Sequence, residues 1–360
     1  MEQILIVKTS ALGDIVQSLD ILSYLHSRFP NAFIDWAVEE NLSPLISSHP
    51  LIRKAIPLKL KLKLSNWKQF LALRKENYDY LFDLQGNIKS GLITLLARSK
   101  VKVGLGPKSV REWPNILATH IRFEVPQHLN IRLQYLSLIR QYFNDASAPI
   151  PKPMRLNTTP VEKESLDRHL SKLTAPLKIM VCPGSKWPTK QLPLETLLSL
   201  LDLIEKNLPA SFLLVWGDAS EKALCEKLQS NKRVLSEKLS LPLWQNLMSE
   251  MDLVIAVDSS ALHLAATTQT PTFSVFGPTS PNIFKPIGNH HLAIFGKCPY
   301  GTIFEKRCPV LRSCPTAACM RDLKAEKLFE EFIKWWQRDS VPLNPCQRAE
   351  PFANPGFQRM

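Results

Sequence analysis

The 360-residue sequence predicts an α/β protein of two units, each a parallel sheet flanked by helices. Three observations carry this. The chain is too long for one comfortable core and suits two domains of roughly 150 residues. Short uninterrupted apolar runs, such as ILIV at 4–7, IMVC at 179–182 and LVIAV at 253–257, fit strands buried on both faces of a sheet. Each run feeds a loop of small and polar residues, and several then meet a helix-period pattern. Such sheets bind ligands at the carboxyl ends of their strands.

In the first half, residues 4–7 are a predicted strand, KTSALGD at 8–14 is its loop, and 15–28 is one helix with Ile15, Leu19, Leu22 and Leu25 on its apolar side. The unit lacks G-x-G-x-x-G, which disfavours an ordinary dinucleotide site. A strand is expected at 32–38 and a helix from 39 to about 48. Residues 56–63 alternate strictly, which places Lys59, Lys61 and Lys63 on one face of an extended segment. Those lysines either guard a sheet edge or form an anion-binding face. A helix follows at 67–75, a strand at 80–84 running into QGNIKS at 85–90, and a short strand at 101–104. PQHLNIR at 126–132 opens the helix that closes the first unit, and proline-rich 144–160 is the linker.

The second half begins with a helix at 161–173. The strand at 178–182 leads into PGSKWPTKQLP at 183–193, an amphipathic helix covers 194–206, and 211–216 is a strand ending in the loop GDASE at 217–221. After the strand at 253–257, Asp258, Ser259 and Ser260 are cap residues opening a helix over 261–268, with His263 in its first turn. That helix start directs free N–H groups toward a site for an anion. Residues 272–276 are the next strand, and Gly277-Pro278-Thr279 is a turn at its carboxyl end. A last helix is expected at 322–337 and a loose tail at 340–360.

Lys plus Arg number 45 against 32 Asp plus Glu, a formal charge of +13. That surplus points to anionic partners: nucleic acid, acidic headgroups or a phosphorylated sugar. With no nucleic-acid module or basic block in view, nucleic acid is not expected. Neither a signal peptide nor a run of ~20 apolar residues is recognised, so a cytoplasmic protein, peripheral on a membrane, is expected. Of seven cysteines, Cys298, Cys308, Cys314 and Cys319 cluster, but their spacing lacks paired C-x2-C knuckles, and no metal is expected.

The pattern D-S-S-x-x-H at 258–263, followed by a helix, a strand and F-G-P-T, resembles the donor site of the heptosyltransferases that build the inner core of bacterial lipopolysaccharide, glycosyltransferase family 9. The opening V-K-T-S-A-L-G-D is similar to that of the first of these enzymes, where the aspartate after glycine is the proposed catalytic base. The resemblance implies a GT-B arrangement of two Rossmann-like domains facing a central cleft. Its implied boundaries are 1–155 for an acceptor-binding domain, 161–320 for a nucleotide-sugar domain and 321–338 for a helix across the seam. It makes Asp14 the base and Asp258, Ser259, Ser260 and His263 binders of the donor diphosphate and sugar.

PGSKWPTKQLP resembles the family's P-G-[AS]-x-W-x-x-K-x-W-P loop, with Leu192 in place of Trp, and assigns Ser185 and Lys190 to the donor phosphates. An acid of the 217–221 loop, Asp218 or Glu221, would hold the ribose hydroxyls. On the acceptor side, D-x-Q-G-x-x-K-S points to Lys89 and Ser90, and S-V-R-E and Q-H-L-N point to Arg111 and His128, beside the alternating Lys59, Lys61 and Lys63. Arg suits a carboxylate or phosphate because its fork grips two oxygens. The implied reaction moves heptose from ADP-heptose to Kdo-lipid A at the cytoplasmic face of the anionic inner membrane, without a cofactor. Two rivals remain: a sugar-nucleotide 2-epimerase of the same shape, and a non-catalytic nucleotide-sugar binding protein. Taken singly, each residue also has a plain structural role, Asp14 and Asp258 as helix caps and the basic residues as solvated surface.

Overall fold

The structure, a computed structural model, describes residues 1–60, 69, 73–146 and 153–338. Two six-stranded parallel sheets organise it. The first comprises β1 (Gln3–Val7), β2 (Phe33–Glu39), β3 (Lys54–Leu58), β4 (Asn77–Asp83), β5 (Arg98–Leu105) and β6 (Ile121–Phe123), in the order β3-β2-β1-β4-β5-β6. The second comprises β7 (Leu177–Cys182), β8 (Ala210–Leu214), β9 (Arg233–Leu235), β10 (Leu253–Val257), β11 (Thr272–Phe276) and β12 (His291–Phe295), in the order β12-β11-β10-β7-β8-β9. Renumbered within its half, each sheet has the doubly wound order 3-2-1-4-5-6. The switch points, where the strand order reverses and ligands bind, fall between β1 and β4 and between β7 and β10.

Alternate residues of β1 enter different cores, as a strand covered on both faces requires. Ile4 and Ile6 join one cluster, while Leu5 and Val7 join another with Leu81 and Ile93. The first cluster does not stop at the domain boundary. It continues through Leu22, Leu243, Leu247, Val254 and Leu262. Each fully buried aliphatic side chain contributes about 1.5–3 kcal/mol, so the two halves are joined by apolar burial as well as by the linker. The helix Leu12–Ser18 lies against the helix Ser260–Ala266 at this seam.

Several expectations change. The single helix over 15–28 is two, Leu12–Ser18 and Asp20–Arg28, meeting at Leu19. Ser18 Oγ donates to the Ile15 carbonyl at 2.7 Å, a local bond that competes with the helical ladder. The expected helix at 39–48 is a short 3-10 turn, Glu40–Leu42, followed by Ser43–Ser47 with Pro44 in its first turn. The final helix is Ala325–Trp336. Leu328, Phe332 and Trp335 bury into the core of the second sheet, with Phe332 edge-on to Phe273 at 5.5 Å, because that one stripe fits the groove beside the helix Leu194–Asn207. The alternating segment forms a strand only to Leu58, and Lys61, Lys63 and the tail at 340–360 lie outside the described residues.

Candidate active site between the two sheets

Asp14 sits in the first turn of the helix that follows β1. The loop before it is tied to the turn that follows β4. Gln85 Oε1 accepts from the backbone N–H groups of Thr9 (3.2 Å) and Ser10 (3.4 Å), and Gly86 O accepts from those of Arg111 and Glu112, each at 3.0 Å. Gly86 adopts φ +67°, a conformation glycine takes readily, so the turn can serve both neighbours at once. The Arg111 guanidinium thereby comes to 3.5 Å from Asp14 Oδ2. Beneath them lies Lys8, 1% exposed, with Nζ donating to the Leu84 carbonyl at 3.4 Å and standing 4.8 Å from the Tyr135 ring centre. Burial pushes the Lys8 ammonium down to about 8 against the opposing pull of Asp14. Burial would raise the Asp14 carboxyl, but Lys8, Arg111 and Arg307 together outweigh it and hold the group below the ordinary carboxylate range. At neutral pH Asp14 is a partly sheltered carboxylate in a cationic frame.

Across the seam, Asp258 is the hub at the end of β10. Its Oδ2 accepts from Lys190 Nζ and from Thr279 Oγ1, both at 2.6 Å, and its Oδ1 is 3.5 Å from His263 Nε2. Burial disfavours the Asp258 charge, yet His263 and Lys190 prevail and hold its carboxyl far below the usual range. His263 is pushed below its ordinary value, chiefly by burial, so its ring is neutral at pH 7, and its Nε2 is hydrogen-bonded to Gln17 Nε2 at 2.6 Å. Gln17 lies one turn beyond Asp14, so this bond links the helix of the first half to the hub of the second. Arg132 adds a second tie, donating to the His263 carbonyl at 3.0 Å. A Cβ on Gly13 would stand 3.7 Å from Ser260 Cα and His263 Cδ2, which brings the Asp14 loop against the second half. The side-chain oxygens of Thr9 and Ser259, Gln17 Oε1 and His263 Nδ1 are buried without a protein partner. Buried polar atoms normally find one, so this seam has capacity for a polar ligand.

The other expected donor residues divide. Ser185 is half-buried, and its carbonyl accepts from Gln191 Nε2 at 2.8 Å. Ser259 occupies the N-cap position by backbone, but its hydroxyl makes no capping bond, and the helix begins at Ser260. Glu221 lies against Gly184, where an added Cβ would sit 2.1 Å from its carboxyl carbon, and it accepts from Gly217 N–H at 2.7 Å. Asp218 is exposed, and its Oδ1 caps the helix Ala219–Leu228 by accepting from Ser220 and Glu221 N–H, so of the two acids Glu221 is the one drawn against the 183–193 loop.

On the expected acceptor side, Arg111 is half-exposed beside Asp14, and Lys89 and His128 are exposed. Lys59 is exposed and 3.4 Å from Glu40. Ser90 is fully buried: its hydroxyl donates to Asp83 at 2.9 Å, and it forms a reciprocal cap with Asn87, so it shapes the turn from inside. The Cys298–Cys319 region lies over the F-G-P-T turn through Cys308 N–H to Pro278 O (2.8 Å) and Ser280 N–H to Lys306 O (3.1 Å). Its cysteines are free, and the segment carries Arg307 toward Asp14.

Residues 66–312, more than half the chain, match Glycosyltransferase family 9 (heptosyltransferase). The chain belongs to glycosyltransferase family 9. Among curated relatives, it is 28% identical over 297 residues to lipopolysaccharide heptosyltransferase 1 of Campylobacter coli, covering 79% of this chain and 86% of that one. It is also 28% identical over 324 residues to lipopolysaccharide heptosyltransferase 1 of Pseudomonas aeruginosa, covering 85% and 87%. Among solved structures, the E. coli heptosyltransferase WaaC with ADP superposes with a TM-score of 0.72 at 22% identity, over 92% of this chain and 99% of that chain. The two facing Rossmann-like halves are the GT-B arrangement of this glycosyltransferase fold.

Four polar residues of this candidate site escaped the sequence reading. Lys8 and Thr279 lie inside motifs that were read, V-K-T-S and F-G-P-T, and a lysine ending a buried strand is itself a signal. Gln17 and Arg307 carry no local signal, because only the packing of the halves brings them to the seam. Among the described residues no helix is long and apolar enough to cross a membrane.

Proposed function

We propose that this glycosyltransferase moves heptose from ADP-heptose to a Kdo residue of Kdo-lipid A, working at the cytoplasmic face of the anionic inner membrane. The observation that carries the reading is the ionised Asp14, framed by Lys8 and Arg111 and linked through Gln17 to the His263–Asp258–Lys190 cluster. In the proposed step Asp14 takes the proton of an acceptor hydroxyl as its oxygen attacks the anomeric carbon of the donor. The bond from that carbon to the diphosphate breaks, configuration inverts, and ADP leaves with the electron pair.

Charge then grows on the diphosphate. Lys190 has a donor to spare beyond its bonds to Asp258, and with Ser185, Ser259, Ser260 and neutral His263 it would stabilise that charge. Glu221 takes the ribose hydroxyls. Arg111, Lys89 and His128, with Lys59, Lys61 and Lys63, take the acceptor's carboxylates and phosphates. The heptosyltransferase 1 names of the relatives support heptose as the group moved. Incubation with ADP-heptose and Kdo-lipid A tests this by mass spectrometry: the lipid gains one heptose. An altered sugar nucleotide with untouched lipid supports epimerisation instead, and no change in either supports binding alone.

A further inference from the structure

We propose that the face formed by the helix Ile88–Leu96 and the adjoining turn Trp113–Ala118 docks the protein on an anionic lipid surface. The inference rests on the reading above, since it explains how a lipid-borne acceptor reaches Lys89 and Arg111. Ile88 and Leu95 are each 56% exposed, Trp113 60% and Leu117 67%. Ile88 and Leu95 share one exposed side of the helix, while Ser90, Ile93 and Thr94 are buried and Leu92 and Leu96 pack partly against the core. The two segments are fastened together. Gly91 abuts Asn115 and Ala118, and the Ile88 N–H donates to the Glu112 carboxylate at 2.8 Å. The protein thus keeps four large apolar side chains in water on neighbouring segments, a pattern that marks an interaction surface.

Charge selects the partner. Between residues 88 and 124 stand Lys89, Arg98, Lys100, Lys102, Lys108, Arg111 and Arg122, against only Glu112 and Glu124. Lys100 is paired with Asp79 and Arg122 binds the carbonyls of Ile116 and Thr119, but Lys89 lies on the docking helix and Lys102 reaches its end at the Leu95 carbonyl. A second copy meeting this face about a two-fold axis would set these cations against themselves. An anionic bilayer meets both features, taking Trp and aliphatic side chains at its interface and the basic residues at its headgroups. Trp113 and Leu117 then lie two and six residues from Arg111, so docking brings the lipid surface to the acceptor side of Asp14.

The full chain is sedimented with vesicles of equal parts phosphatidylglycerol and phosphatidylethanolamine, and separately with phosphatidylcholine vesicles. The parent binds the anionic vesicles, and the pairs Trp113→Ser with Leu117→Ser, and Ile88→Gln with Leu95→Gln, each lower its partition by about ten-fold while melting as the parent does. Both pairs turn over a deacylated, water-soluble acceptor at the parent rate and lose activity on the same acceptor embedded in vesicles. Parental partition in both folded pairs overturns the proposal. So does a parent dimer that either pair dissociates, which assigns the face to a second copy. A parent that binds vesicles but transfers no sugar upholds the docking face and removes the proposed reaction, and a parent that transfers sugar without binding vesicles does the reverse.

Discussion

Replacing Lys190 by Met removes one partner of an ion pair whose side chains are only 14% and 4% exposed and whose N–O distance is 2.6 Å. Breaking a buried pair in this way costs about 3–5 kcal/mol, because the remaining charge has lost its partner without regaining water. Two features reduce that here. Thr279 still donates to the same Asp258 oxygen at 2.6 Å, and Lys190 is not wholly sealed from solvent. A loss of about 2–3 kcal/mol is expected for Lys190→Met, and Asp258→Asn added to it should cost little more. The Asp258 carboxyl is depressed in the folded state, so its contribution is present above the ordinary carboxylate range and fades as pH falls through the depressed value. Removing Lys190 raises that value, and the acid-side loss of stability begins at higher pH. Denaturant unfolding of the two single variants and the double variant, at neutral and acid pH, measures the coupling. A coupling energy below about 0.5 kcal/mol would refute the buried-hub account.

Lys8→Met deprives Asp14 of a partner that offsets its burial, so its pKa rises and the acid limb of kcat/KM moves to higher pH; an unmoved limb in the pH profile counts against Lys8. Gln17→Leu removes the bond that ties the Asp14 helix to His263, and kcat should fall roughly three- to ten-fold with ADP affinity kept, as steady-state kinetics and calorimetry would show. Ser90→Ala strips a buried hydroxyl from Asp83, so unfolding should show a loss of about 1–3 kcal/mol, whereas a raised KM for acceptor with full stability would restore Ser90 to the acceptor surface.

Strands were the most legible elements, because a parallel sheet covered on both faces demands runs such as LVIAV and TFSVF, and β10 and β11 have the bounds those runs predict. Asp258, Lys190 and His263 were legible for the same reason: each lies within a few residues of a strand end or on a loop whose motif is continuous in sequence. Contacts made by the meeting of the halves were not. The Gln17–His263 bond joins residues 246 positions apart, and nothing near Gln17 distinguishes it from a solvated helix residue. The final helix is legible as an element but not in its partners. An apolar stripe shows that a helix is covered, and only the shape of its neighbours determines by which half.

The central claim is that Asp14 is the base of a heptosyl transfer. Its most direct test is turnover of ADP-heptose and Kdo-lipid A by the Asp14→Asn protein, followed by the mass of the lipid, with ADP binding measured by calorimetry on the same sample. The near-isosteric amide keeps the fold and the donor site but cannot take the proton, so turnover should drop on the order of a hundredfold while ADP binds as it does to the parent. Near-parental turnover by Asp14→Asn, with the lipid gaining heptose as before, would contradict the account.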